Sequence, residues 1–132
     1  MERLVQRLRV ARQALITLEE LSVIKNPSAV ERDAAIQRFE YTVEASWKAA
    51  RHYLLTIEGI ETSSPKRVIR YLRENGFFSN DEAVLALEMI DDRNLTSHTY
   101  NQEVADRLFA RLSNYTNLLN LWITKMQANL IS

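Results

Sequence analysis

The chain has 132 residues, of which 46% are hydrophobic and 26% charged, and we expect one globular domain over residues 1–132. Its 17 basic and 17 acidic side chains cancel, which excludes a protein that grips long nucleic acid with its whole surface but leaves room for a local RNA-binding patch. There is no cysteine and no apolar run of membrane-spanning length, so the sequence indicates a cytoplasmic protein without disulfides or a membrane segment.

The first two helices are predicted from their apolar rhythm and their boundary residues. Over residues 2–23, apolar side chains recur at intervals of three and four, which is typical of one helical face. Ser28 followed by Glu31 is a capping box that predicts the start of a second helix, which should end at about Glu58, before Gly59. The residues predicted to face the core are Leu4, Leu8, Ala11, Leu15 and Leu18 in the first helix, and Ile36, Phe39, Val43, Trp47, Ala50, Leu54 and Ile57 in the second.

Two shorter helices are predicted next. Ser64-Pro65 is an N-cap followed by proline at the first helical position, so a third helix should begin there and stop at Asn75-Gly76. A fourth helix should start near Asn80-Asp81, with the stretch Asp91–His98 as its last turns. The apolar residues expected to pack are Phe77 and Phe78 in the connection, and Val84, Leu85, Leu87, Met89, Ile90 and Leu95 in the fourth helix.

A fifth helix, from about Asn101 to Leu130, has the most regular pattern. Its apolar positions are Ala105, Leu108, Leu112, Tyr115, Leu119, Trp122 and Met126. No segment alternates as a strand does, so we predict an all-α, antiparallel up-and-down bundle of about five helices. Because the apolar stripes are wider than one small bundle needs, we also expect a homodimer that buries part of the first, fourth or fifth helix.

The stretch from Asp91 to Tyr100 carries the candidate chemistry. Arg93 is a permanent cation suited to phosphate, and His98 can exchange a proton near neutral pH. On an ideal helix these two side chains lie about 140° apart, whereas Asn94 and His98 share a face. Therefore either the helix loosens near Ser97, or Arg93 and His98 approach a ligand from two sides.

The alternative for this stretch is purely structural, with Arg93 paired to Asp91 or Glu88 and His98 at a helix end. A second basic set lies on the third helix and predicts either a weak substrate-binding stripe or a solvated face. Its members are Lys66, Arg67, Arg70 and Arg73. His52 has no carboxylate three or four residues away and is expected at the surface or at a subunit interface. With no cysteine, two histidines and no glycine-rich loop, the sequence predicts no zinc site and no phosphate-cradling loop, and we expect no metal or cofactor.

The segment 93–100 resembles the Arg-x4-His-x-Tyr signature of the HEPN superfamily, in the branch labelled nucleotidyltransferase substrate-binding protein. Two further blocks agree with that branch: residues 38–44 with Trp47 and Lys48 resemble its second helix, and residues 64–70 resemble its short third helix. The similarity extends over about residues 3–125. It implies a helical bundle that dimerises around the motif, with a small, separately encoded nucleotidyltransferase as its partner.

The resemblance also implies an activity. Such a chain can be the toxin of a toxin–antitoxin pair, a metal-independent endoribonuclease that the transferase silences by adding AMP to the motif tyrosine, here Tyr100. Cleavage needs a base, an acid and a cation, and a twofold dimer supplies two copies of His98 and of Arg93. The alternative within the same branch is a non-catalytic substrate-binding subunit of a two-chain nucleotidyltransferase.

The remaining residues of the stretch have supporting roles in this mechanism. Asn94 would orient the phosphate or the histidine, and Asp91 or Asp92 would steady Arg93. Tyr100 lies off the apolar stripe of the fifth helix, so we expect its hydroxyl to be exposed to another enzyme.

Overall fold

The computed structural model describes residues 1–131, which form five α-helices and contain no strand. The helices are α1 Glu2–Ser22, α2 Ala29–Tyr53, α3 Pro65–Glu74, α4 Asn80–Asn94 and α5 Gln102–Ile131. The long helices α1, α2 and α5 pack against one another, and α3 and α4 pack together beside them. This confirms the predicted all-α helical bundle.

Hydrogen bonds from side chains fix where the helices begin. At α2 the Ser28 Oγ accepts from the Glu31 backbone N–H at 3.1 Å, while the Glu31 carboxylate accepts from the Ser28 N–H at 2.8 Å. Ser64 accepts from the backbone of α3, and Pro65 occupies its first position. A second capping box, which the sequence analysis missed, starts α4 at Ser79.

The end of α2 differs from its prediction. The α-helix stops at Tyr53, and Leu54–Glu58 forms a π-helical turn that ends at Gly59, whose φ is +69°. Because a π turn bonds each residue to the fifth one along, the three-four rhythm no longer applies there. The prediction that Ile57 packs into the core is therefore wrong, since 42% of its surface is exposed, whereas Leu54 is buried.

Aromatic side chains occupy the centre of the bundle. The Phe39 ring of α2 stacks on the Tyr115 ring of α5 at 5.4 Å between centroids. The connection before α4 enters the same core, because the Phe78 ring meets the Trp122 ring edge-on at 5.3 Å. Every core position predicted for α1 and α5 is buried.

The helix α4 buries small residues where large ones were predicted. Val84 is 63% exposed, while its neighbours Ala83 and Ala86 are buried with Met89 and Ile90. The α-helix also ends at Asn94, four residues before the predicted limit at His98. The prediction for α4 was therefore wrong at Val84 and at its C-terminal turns.

We expect Phe78→Ala to lower the free energy of unfolding by about 3–5 kcal/mol, since it removes a buried ring from the contact with Trp122. The matched control is Val84→Ala, an exposed apolar truncation, which should change it by less than about 0.5 kcal/mol. Urea unfolding followed by circular dichroism measures both. Equal midpoints for the two variants would contradict this packing.

Candidate functional site

The motif, residues 93–100, lies at the end of α4 and in the connection to α5. After Asn94 the chain forms a 3₁₀ turn at Thr96–His98, in which the His98 N–H donates to the Leu95 carbonyl at 2.9 Å. The Thr96 hydroxyl donates to the Arg93 carbonyl at 2.8 Å. Of the two predicted alternatives, a loosened helix is the one observed. Asn94 and His98 therefore do not share a face of one α-helix.

Arg93 is held by a residue from α2. Its Nη2 lies 2.8 Å from the Glu44 Oε2, so its partner is neither Asp91 nor Glu88 as the structural alternative proposed. Glu44 also accepts from the Trp47 indole at 3.1 Å. The Arg93 Nε is buried and has no hydrogen-bond partner among residues 1–131, so Arg93 keeps one unsatisfied donor.

The charge of Glu44 is set by competing effects. Burial raises the pKa of Glu44, but hydrogen bonds from Trp47 and Lys48 and the positive charge of Arg93 lower it, and the net shift is downward. The carboxylate is consequently ionised at neutral pH. It binds the guanidinium of Arg93 as a full ion pair whose two side chains are both about one-third exposed.

The two aspartates have other partners than Arg93, so the expected support from Asp91 or Asp92 is wrong. Asp91 pairs with Lys66 of α3 at 2.6 Å. Asp92 is only 3% exposed and accepts two contacts from the Arg111 Nη1 at 3.0 and 2.9 Å. It also accepts from the Tyr115 hydroxyl at 2.5 Å. Adjacent residues on a helix point about 100° apart, which explains the separate partners.

The buried carboxylate changes the titration of its neighbours. Burial raises the pKa of the Tyr115 hydroxyl, and the hydrogen bond to Asp92 raises it further. The hydrogen bond to Asp92 also raises the pKa of Arg111. Tyr115 thus stays protonated and donates to Asp92, with a longer contact of 3.4 Å to the Glu88 carboxylate. Through Asp92, these contacts join α4 to α5.

His98 and Tyr100 lie at the surface. The His98 Nδ1 is 3.4 Å from the Tyr100 hydroxyl, and the two rings meet edge-on at 5.9 Å between centroids. Tyr100 is 85% exposed, which confirms the predicted exposure of its hydroxyl. No hydrogen bond or ring contact joins His98 to Arg93 within the described part of the chain. Within this chain the two motif residues therefore have different partners, Glu44 for Arg93 and Tyr100 for His98.

The remaining predicted residues do not form one surface. Asn94 lines a cavity of about 120 Å³ with Arg93, Glu44 and Trp47. In the basic set, Lys66 is paired with Asp91, and Arg67 lines a different cavity. Arg70 and Arg73 are exposed and have no carboxylate partner in residues 1–131. The substrate-binding stripe on α3 therefore stays a prediction, with Lys66 already engaged by Asp91.

Three residues of this region were missed by sequence analysis. Glu44, Arg111 and Tyr115 hold the last turn of α4, yet each is distant in sequence from its partner. For Arg111 and Tyr115 the available signal was that they are four residues apart on α5 and so share a face. Among residues 1–131, no three His, Asp or Glu side chains are grouped so as to hold a metal ion, and no helix is long and apolar enough to cross a bilayer.

Comparison with known proteins extends over nearly all of the chain. Residues 6–128 match the family model described as "Nucleotidyltransferase substrate binding protein like". A crystal structure from Thermus thermophilus is 53% identical with a TM-score of 0.86, covering 88% of this chain and 98% of that chain. No curated protein matches the sequence.

A second solved structure has a descriptive name. It comes from Haemophilus influenzae and is described as revealing the fold of a substrate binding domain of a nucleotidyltransferase. It is 25% identical with a TM-score of 0.77, and the alignment covers 91% of this chain and 98% of that chain.

The adjacent aspartates provide a matched test of the buried cluster. Asp92→Asn should lower the free energy of unfolding by roughly 1–3 kcal/mol, because it weakens a buried acceptor of two donors. Asp91→Asn should cost at most about 1 kcal/mol, since the Asp91–Lys66 pair is exposed. Thermal or urea unfolding at neutral pH distinguishes them, and a larger loss for Asp91→Asn would contradict the assignment.

Proposed function

The chain belongs to the nucleotidyltransferase substrate binding protein-like family, and from that premise we propose that it is the partner of a separately encoded minimal nucleotidyltransferase. We infer further that it is the HEPN toxin of such a pair. Its activity is metal-independent RNA cleavage by Arg93 and His98, and the transferase silences it by adding AMP to Tyr100. The observation that carries this proposal is the exposed Tyr100 hydroxyl, 3.4 Å from the His98 ring.

The modification step needs only an accessible phenol. The Tyr100 oxygen attacks the α-phosphorus of ATP, a new P–O bond forms, pyrophosphate leaves, and the phenolic proton is released. The product carries a negative phosphodiester next to His98. That charge and the bulk of the nucleotide would keep an RNA phosphate away from His98.

The cleavage step needs two protomers. One His98 removes the proton of the ribose 2′-OH as this oxygen attacks the adjacent phosphorus. The His98 of a second protomer protonates the departing 5′-oxygen, which leaves a 2′,3′-cyclic phosphate and a 5′-hydroxyl. Arg93 offers its guanidinium to the charged phosphorane, with Glu44 fixing its orientation. One protomer has a single His98 at this place, so the composite site requires the homodimer.

The ion pair between Glu44 and Arg93 favours a second candidate function. Because Glu44 already neutralises much of the Arg93 charge, the motif also fits a non-catalytic subunit that presents substrate to the transferase. In that case His98 and Tyr100 form a docking surface and no RNA is cut. The family description and the name of the Haemophilus structure support this candidate as well.

We expect the purified protein to cleave RNA in the presence of EDTA and to leave 2′,3′-cyclic phosphate ends. His98→Ala should lower the rate by about 10²–10⁴-fold because it removes the acid–base group, and Arg93→Ala should also abolish cleavage. Arg9→Ala is the control, since Arg9 lies exposed on α1, away from the motif, and donates a hydrogen bond to Gln6. Light scattering on the same sample should give the mass of a dimer. Equal rates for all variants would assign the cleavage to a contaminant, and no cleavage at all favours the non-catalytic subunit.

We expect incubation with the partner transferase, ATP and Mg²⁺ to add the mass of AMP to Tyr100 and to stop cleavage. Tyr100→Phe should escape modification and still cut RNA, because it keeps Arg93 and His98. Tyr41→Phe is the matched control, since Tyr41 is another exposed tyrosine on α2. Peptide mass spectrometry locates the adduct, and an adduct on Tyr41 but not on Tyr100 would show the silencing step to be wrong.

A further inference from the structure

A cationic cavity lies between the end of α2 and the start of α3, and neither proposed function uses it. Its volume is about 560 Å³, which is within the range of small-molecule sites. The π-helical turn follows this wall of α2 directly, and such turns are frequent at functional sites. The residues that line it are Arg51, His52, Leu55, Glu61, Thr62, Ser63, Ser64, Arg67 and Tyr71.

The two arginines of this cavity have unused charge. Arg51 stacks at 5.5 Å on the Trp47 ring, and neither Arg51 nor Arg67 has a carboxylate partner within residues 1–131. Glu61 is the one carboxylate among the lining residues. Two guanidinium groups against one carboxylate leave the cavity positive and able to accept an anion.

The field of the neighbouring helices has the same sign. Burial lowers the pKa of His52, and the positive charges of Arg7, Arg3, the N-terminal amine and Arg51 lower it further. The first turn of α3 borders the cavity, where the Arg67 backbone N–H points to the Ser64 Oγ at 3.4 Å. A helix N-terminus adds partial positive charge. Three elements therefore place positive charge near this opening, and Glu61 is the one carboxylate among the residues that line it.

The other wall is suited to a flat ring. Tyr71 is half-buried on α3, and Leu55 exposes about half of its surface on the π turn. Tyr71 and Leu55 border the same opening as three hydroxyl residues, Thr62, Ser63 and Ser64. Phosphate groups pair well with guanidinium forks, whereas a base stacks on an aromatic face.

We propose that this cavity binds a nucleoside phosphate, with the phosphates on Arg51 and Arg67 and the base against Tyr71. The site is independent of His98 and Tyr100, so it goes beyond the proposed function. Of the arginines on α3, Arg67 lines the cavity, whereas Arg70 and Arg73 do not.

The experiment uses the full chain, calorimetry and proton NMR, with ATP, inorganic tripolyphosphate and adenosine as separate probes. We expect ATP to bind more tightly than either fragment. Arg51→Gln and Arg67→Gln should each weaken ATP binding about tenfold or more, through loss of charged hydrogen bonds. Arg107→Gln, an exposed arginine on α5, is the matched control for net charge.

Two further readouts separate binding from a fold defect. Glu61→Gln should tighten ATP binding several-fold, because it removes the one opposing charge, and a merely structural role predicts no gain. The chain has only two histidines, so their ring signals are resolved, and His98→Asn assigns them. Bound ATP should raise the midpoint of the His52 titration, since it places negative charge next to that ring, and should leave His98 unchanged.

Several outcomes overturn the proposal. If ATP affinity is unchanged in Arg51→Gln and Arg67→Gln, ATP binds outside this cavity. The same conclusion follows if ATP shifts the titration midpoint of His98 and not that of His52. If tripolyphosphate and ATP bind with equal affinity, the base does not contribute to binding at this site. Absence of ATP binding at millimolar concentration rejects the site altogether, without affecting the tests of RNA cleavage or of Tyr100.

Discussion

The buried carboxylate of Asp92 is the interaction on which the position of the motif depends. Three consecutive residues in the last turn of α4 point about 100° apart, and each binds a different helix. Asp91 pairs with α3, Asp92 with α5, and Arg93 with α2. These pairs contribute differently to the stability of the fold. The exposed Asp91–Lys66 pair adds little, whereas Asp92 is 3% exposed, and leaving its carboxylate without donors would be strongly destabilising. The turn is thus fixed from three sides, and the chain leaves it directly into the 3₁₀ turn that ends at His98.

The ion pair between Glu44 and Arg93 affects chemistry as well as packing. A guanidinium bound to an ionised carboxylate is well oriented, but its attraction for a second anion is reduced. Lys48 lies 3.3 Å from the other oxygen of Glu44, so the carboxylate is shared by two cations and the local charge remains positive. The proposed approach of a phosphate to Arg93 depends on this positive surplus. The Nε of Arg93 is buried and has no hydrogen-bond partner within residues 1–131.

Much of the fold is predictable from sequence, because α1 and α5 are long and repeat one apolar pattern many times. Errors arose where another effect replaced that periodicity. Ile57 was misplaced because a π turn changes the number of residues per turn, and Val84 because α4 buries alanines. For the site, the exposure of Tyr100 followed from its place off the stripe. The partners of Asp92 and Arg93 could not be predicted in this way. Glu44 is 49 residues from Arg93, and the packing of α2 against α4 brings these two side chains together.

The start of α3 links the motif to the cationic cavity. Ser64 lines that cavity, Pro65 lines the cavity beside Arg93, and Lys66 binds Asp91. Along α2, Glu44 and His52 are separated by eight residues, which is about 12 Å of helix. That distance exceeds the screening length of about 8 Å at physiological salt, so direct charge coupling between the two places is weak. The direct contact between the first turn of α3 and the motif is the Lys66–Asp91 pair, and because both side chains are exposed, this pair also couples the two places only weakly. The position of the motif therefore depends on the buried Asp92 cluster and not on the cavity.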